Sequence, residues 1–143
     1  MTEEHSSLTA KIDLILAREE IKELLARYSW HATRGEWQEL VALFTVDGTF
    51  ESARSKDEFW SWVGHDEIFA NLAKRTPTVI PMVCNEIIVI DGDTAVTTCT
   101  MYTPVSPDTT SSGFIGCYHD KLRREDGAWR FAERRFETQS GSF

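Results

Sequence analysis

No CxxC pair, glycine-rich phosphate loop or HExxH segment occurs in the 143 residues, and the four histidines do not cluster with the three cysteines. These absences argue against a zinc site, a nucleotide site and a disulfide scaffold, so neither a metal nor a cofactor is expected. Cys84, Cys99 and Cys117 fall in segments that read as strands, where a free thiol packs as a small hydrophobe. Positive charge is also scarce. Fifteen Lys and Arg against twenty-three Asp and Glu leave a net charge of -8, and the two basic runs, Lys121–Arg124 and Arg134–Arg135, have acidic neighbours. A surface of that sign repels a phosphate backbone, which argues against a nucleic-acid partner. No apolar run approaches the roughly 20 residues that span a bilayer, so no membrane partner is expected either. Met1 to Leu8 lacks the basic start and apolar centre of a secretory signal, which makes the cytoplasm the expected location. Residues 1–7 read as a disordered tail.

What the chain does have is the size and composition of one globular domain: 41% hydrophobic and 27% charged residues. From about Leu8 to Ala32 the apolar groups Ile21, Leu24, Leu25, Tyr28 and Ala32 follow the three-and-four spacing of a core-facing helix. Arg34-Gly35 breaks it. Trp37, Leu40, Val41 and Phe44 predict a second short helix, Thr49 to Ser52 a strand, and Glu58 to Val63 another. A third helix follows Gly64, with Asp66 as its cap and Ile68, Phe69 and Leu72 as its buried side. After Pro77 the chain reads as four β segments, Val79 to Ile90, Thr94 to Thr103, Gly113 to Arg124 and Ala128 to Thr138. Asp91-Gly92-Asp93 and Glu125-Asp126-Gly127 are hairpin signals, and Pro104 to Ser112 reads as a long loop. Helices first and an antiparallel sheet afterwards give an α+β domain over 1–143.

This order of elements, with Leu24-Leu25-Ala-Arg-Tyr28, Arg34-Gly35-Glu-Trp37, Leu43-Phe44-Thr-Val-Asp47-Gly-Thr-Phe50, Asn85 through Asp93 and Tyr118-His-Asp120 through Trp129-Arg-Phe131, resembles the SnoaL-like branch of the nuclear-transport-factor-2-like superfamily. The resemblance implies a cone: a curved antiparallel or mixed sheet packed against three N-terminal helices around an apolar cavity. It also implies a homodimer or homotrimer formed through the outer sheet face. Relatives of this shape include dehydratases, ketosteroid isomerases, polyketide cyclases and binding modules without catalysis, so function has to come from the side chains in the cone. In dehydratase members an aspartate follows the first-helix tyrosine and a histidine lies four residues before the strand asparagine. Here Thr33 and Pro81, or Ile80 one residue away, occupy those places. A hydroxyl cannot replace a carboxylate as a base near pH 7, so the usual Asp/His dyad is absent.

The remaining candidates for catalysis are Tyr28 and Tyr102 as phenol donors, and His119, His31 or Asp120 as proton carriers. Tyr28 can equally be a core residue bonding a backbone carbonyl, and Asp120 can equally be a salt-bridge partner of Arg134 or Arg135. Tyr118 and Asp120 lie on the strand face opposite His119, so only one set can line the cone. Strict alternation puts Arg135 with Trp129, Phe131 and Glu133, and Arg134 with Phe136. Trp30, Thr33, Phe50, Trp60, Trp62, Asn85, Arg135 and Phe136 are the candidate substrate contacts, rich in flat side chains suited to an aromatic ligand. The expected function is a lyase or isomerase of dehydratase or C–C lyase type acting on a small hydrophobic molecule. The alternative is a non-catalytic binding module of the same shape.

Overall fold

The computed structural model describes residues 2–53, 57–75, 80–103 and 114–138; the expected Pro104 to Ser112 loop lies outside them. Helix α1 spans Glu3–Arg34, so most of the segment read as a tail belongs to the first helix. Its buried stripe is Ala17, Ile21, Leu24, Leu25, Tyr28 and Ala32. Gly35, at φ 70°, takes the left-handed conformation that ends it, and the Glu36 amide bonds the His31 carbonyl at 2.9 Å. Helix α2 covers only Trp37–Val41. Phe44, expected at the end of that helix, instead begins strand β1, Phe44–Ala53, where its ring packs against Phe131 at 5.2 Å. Strand β2 is Phe59–Val63 and helix α3 is His65–Leu72. Gly64, not Asp66, precedes α3 as its cap, and Glu67 accepts the Val63 amide at 2.8 Å.

Strands β3 (Met82–Asp91), β4 (Thr94–Thr103), β5 (Phe114–Glu125) and β6 (Ala128–Thr138) form the hairpins foreseen from their turns. The sheet is six-stranded, curved and unclosed, in the order β2-β1-β6-β5-β4-β3. All neighbours are antiparallel except β1 and β6, which run parallel, so the sheet is mixed. The α+β cone is thus the observed architecture. One face of the sheet supplies the core, through Phe50, Cys99, Met101, Tyr118, Leu122, Phe131 and Phe136, and α1 closes over it with Tyr28 against Phe50 and Phe131, both at 5.9 Å. The sheet's other end of exposure is β3, where Ile87 and Val89 point outward.

Three irregularities change which side chains face inward. In β1 the pairing with β6 shifts between Phe44 and Thr49. In β3 it shifts between Cys84 and Ile87, with Asn85 at φ 56°. In β6 it shifts beside Lys121 and Leu122: Lys121 faces Glu133 and Leu122 faces Phe131, leaving Ala132 as the extra residue of a bulge. Gly116 is required by contact rather than by a turn. A Cβ there would lie 2.3 Å from the Phe136 ring and 2.5 Å from the Glu137 carbonyl. Gly116→Ala should therefore cost about 2 kcal/mol by overpacking and lower Tm by several degrees; calorimetry of the variant against wild type checks this.

Candidate functional site

The β6 bulge puts Arg134 on the same inward side as Phe131, three residues earlier, and Phe136 follows it by ordinary alternation. Arg134 is 0% exposed. Its Nη1 donates to Asp120 Oδ2 at 2.9 Å, and the Thr97 hydroxyl donates to the same oxygen at 3.0 Å. Asp120 Oδ1, Arg134 Nε and Arg134 Nη2 are buried without a hydrogen-bond partner. Two phenols cover the guanidinium, Tyr118 with its ring centre 3.6 Å from Arg134 Cζ and Tyr28 at 4.0 Å. The Tyr118 hydroxyl donates to the Tyr28 oxygen at 3.4 Å, which leaves the Tyr28 hydrogen for another acceptor.

Burial dominates the electrostatics. It pushes the Asp120 carboxyl up to about 6, against the pull of Arg134 and then of Thr97. Burial also lifts the Tyr28 phenol, with Arg134 opposing, and lifts Tyr118 well above the usual phenol value, with Tyr28 adding to the effect. For Arg134 desolvation works downward, but Asp120 and the two phenols hold it charged. With Arg134 held charged, burial leaves the Asp120 carboxyl as the member of the pair lifted toward neutral pH. Cys99, beside the same cluster, is raised by burial to about 11 and stays a thiol. Among the described residues no three His, Cys, Asp or Glu side chains are grouped to hold a metal ion.

The sequence candidates divide sharply. Tyr28, Asp120, Phe50 and Phe136 are buried inside with this cluster, and Trp62 is buried beside Phe50 at 5.8 Å. Trp60 stacks on Trp62 at 3.8 Å, and the Arg75 guanidinium lies 4.8 Å from the Trp62 ring centre. Tyr102 and His119 face the other way. Tyr102 is 43% exposed, and His119 lies 3.4 Å from Glu137 on the outer face, because Cys99 and Met101 on β4, and Tyr118 and Asp120 on β5, take the inner positions. Arg135 is also outside, paired with Glu137 at 3.0 Å, since the bulge after Phe131 reverses the alternation on which its inward placement rested. Trp30 is exposed under the Arg34 guanidinium, and Asn85 is exposed in the β3 bulge, so neither lines the interior. His31 sits at the end of α1, 3.6 Å from Glu36. Thr33 spends its hydroxyl on the Ser29 carbonyl at 2.8 Å, and the Ser29 hydroxyl donates to the Pro81 carbonyl. Pro81 thus belongs to the joint between α1 and β3, while Thr33 bonds within the helix one turn beyond Ser29. Beside that joint runs a groove of about 540 Å³ walled by Leu25, Ala26, Trp30, Ile80 and Val83. Cys84, expected to be buried, is exposed.

Tyr118, Thr97 and Arg134 were absent from the candidate set. Tyr118 shares the alternation of Asp120, which is a usable signal. Arg134 shares the alternation of Phe136 and is one of the two salt-bridge partners open to Asp120, but only the bulge reconciles its inward position with that of Phe131.

A sequence model of the SnoaL-like domain matches residues 13–135. No curated protein matches the chain. Among solved structures, a nuclear-transport-factor-2-like protein with a cystatin-like fold from Novosphingobium aromaticivorans is 25% identical, with a TM-score of 0.85 over 99% of this chain and 94% of that one. A protein of unknown function from Mycobacterium tuberculosis is 23% identical, with a TM-score of 0.77 over 89% and 74% of the two chains. A candidate scytalone dehydratase, also from Novosphingobium aromaticivorans, is 20% identical, with a TM-score of 0.73 over 91% and 88%.

Removing one member of a buried ion pair strands the other. Arg134→Met should destabilise the protein by about 3–5 kcal/mol, whereas Thr97→Val, which leaves the pair intact, should cost about 1 kcal/mol. Urea unfolding of both variants measures the contrast.

Proposed function

The chain belongs to the SnoaL-like domain family, and on that premise we propose that it is a lyase or isomerase of dehydratase type acting on a small aromatic molecule that carries a carbonyl. The observation that carries this reading is the buried Asp120, with one oxygen fixed and the other unpaired, next to two buried phenols. Asp120 Oδ1 takes a proton from the carbon beside the substrate carbonyl, and the electron pair moves to the carbonyl oxygen. Tyr28 donates a hydrogen bond to that oxygen, and Arg134 stabilises the negative charge through its nearness to the phenol. The proton on Asp120 then returns to another carbon of the enolate, giving an isomer. In a dehydration it goes instead to a departing hydroxyl, which leaves as water. The aromatic wall of Phe50, Trp60, Trp62 and Phe136 favours a flat ligand. A base on β5 replaces the missing acid–base pair of α1 and β3, and a carboxyl lifted to about 6 is matched to proton transfer near neutral pH.

A second reading, a binding module without turnover, is favoured by the engagement of Asp120 Oδ2 with both Arg134 and Thr97 and by the lack of a base at Thr33 and Pro81. Deuterium exchange from solvent into a panel of aryl and bicyclic ketones, followed by NMR, separates the two. For an enzyme, Asp120→Asn should slow exchange at least 100-fold and Tyr28→Phe about 10-fold while ligand is still bound. A panel member retained without exchange supports the binder. The base must be ionised to accept a proton, so kcat/KM should fall tenfold per pH unit below about 6 and level off above it. A flat profile between pH 5 and 7 rules out Asp120 as the base.

A further inference from the structure

Every residue of α1 from Glu3 to Leu16 is exposed, among them Leu8 at 56%, Ile12 at 48% and Ile15 at 60%. A half-helix of this length is marginal in water without a packing partner. Leu14, also exposed, continues the buried stripe of Ala17, Ile21 and Tyr28, whereas Leu8, Ile12 and Ile15 do not. At about 100° per residue they fall on the opposite side of the helix, where Ala26 and Thr33 also lie. Ala26, Ser29 and Thr33 line the groove of about 540 Å³ between α1 and β3. One helix face thus carries a ridge of large residues in its first half and a trough of small ones in its second.

We propose that the partner is a second copy of this chain, with the two α1 helices packed antiparallel so that each ridge fills the other's groove. From Leu8 the face advances in alternating steps of four and three through Ile12, Ile15, Glu19, Lys22, Ala26 and Ser29 to Thr33, the spacing of a coiled-coil seam. Laid antiparallel about the midpoint between residues 20 and 21, the seam pairs positions whose numbers sum to 41. Leu8 then meets Thr33 (8 + 33), Ile12 meets Ser29 (12 + 29), and Ile15 meets Ala26 (15 + 26). Each large side chain faces a small one, and the hydroxyls of Ser29 and Thr33 are already bonded within their own chain. At the centre Glu19 of one copy meets Lys22 of the other (19 + 22), twice by symmetry. Within one chain these exposed side chains already pair at 3.4 Å, and in the dimer each also faces the opposite charge of the other copy, where the seam is not apolar. A contact about 39 Å long and one helix diameter wide buries on the order of 1,000 Å² in total, the size at which specific interfaces begin. The symmetry is isologous, so association stops at two chains.

Sedimentation equilibrium across micromolar concentrations tests the pairing. The wild type should be a dimer, and Ile15→Asp should weaken association at least tenfold with an unchanged near-ultraviolet dichroism spectrum. Glu19→Lys and Lys22→Glu should each weaken it, and the double exchange should restore it. A monomeric wild type overturns the proposal. So does a dimer indifferent to Ile15→Asp and to the charge changes but broken by Val89→Asp, which would put the interface on the outer sheet face. Failure of the double exchange to recover association overturns the antiparallel register.

Discussion

The bond between Arg134 and Asp120 is the constraint to which the interior is fitted. Moving two charges out of water costs several kcal/mol each, and one 2.9 Å contact does not by itself offset that. The phenol rings add to that contact. Tyr118 and Tyr28 lie over the guanidinium at 3.6 and 4.0 Å, and cation–π contacts of this kind contribute roughly 2 kcal/mol when desolvated. Thr97 adds a hydrogen bond to the carboxylate. Asp120 and Arg134 face each other across β5 and β6, and their surroundings are completed by Thr97 from β4 and Tyr28 from α1 only when helix and sheet are docked.

The same constraint sets the protonation behaviour of the interior. Thr33 on α1 bonds the Ser29 carbonyl within the helix, and the Pro81 carbonyl, just before β3, accepts the Ser29 hydroxyl that ties helix to sheet. The buried titratable carboxyl of this interior is Asp120 on β5. There desolvation outweighs the neighbouring cation, and the carboxyl is lifted to about 6 instead of being held down as an exposed ion pair would be. Arg134 cannot change state near neutrality, so Asp120 is the group of the cluster that responds to pH in that range.

Helix α1 works on both of its sides. Its C-terminal half places Tyr28 in the core through the stripe that begins at Ala17, and Arg18 Nη1 ties it to the Ile88 carbonyl on β3 at 2.9 Å. Its opposite side and its entire N-terminal half face outward with large aliphatic groups exposed. A helix amphipathic toward one core needs no such second stripe, which is why the exposed stripe points to a partner rather than to the domain itself.

Much of this was legible in the chain. The spacing of Ile21, Leu24, Leu25 and Tyr28 fixed the helix and its buried side, the two Asp-Gly turns set the hairpins, and the order of motifs named the family, because all three depend on residues close in sequence. The site was legible only in part. Tyr28 and Asp120 could be picked out by type and alternation, but Tyr102, His119 and Arg135 lie outward and Arg134 inward. A single extra residue, Ala132, reverses the period-two rule along β6, and the choice between the two faces of β4 and β5 depends on which one α1 covers. Local sequence determines where a strand begins and which of its residues share a side. Which side is inside follows from long-range docking and bulges, and only the tertiary structure decided it.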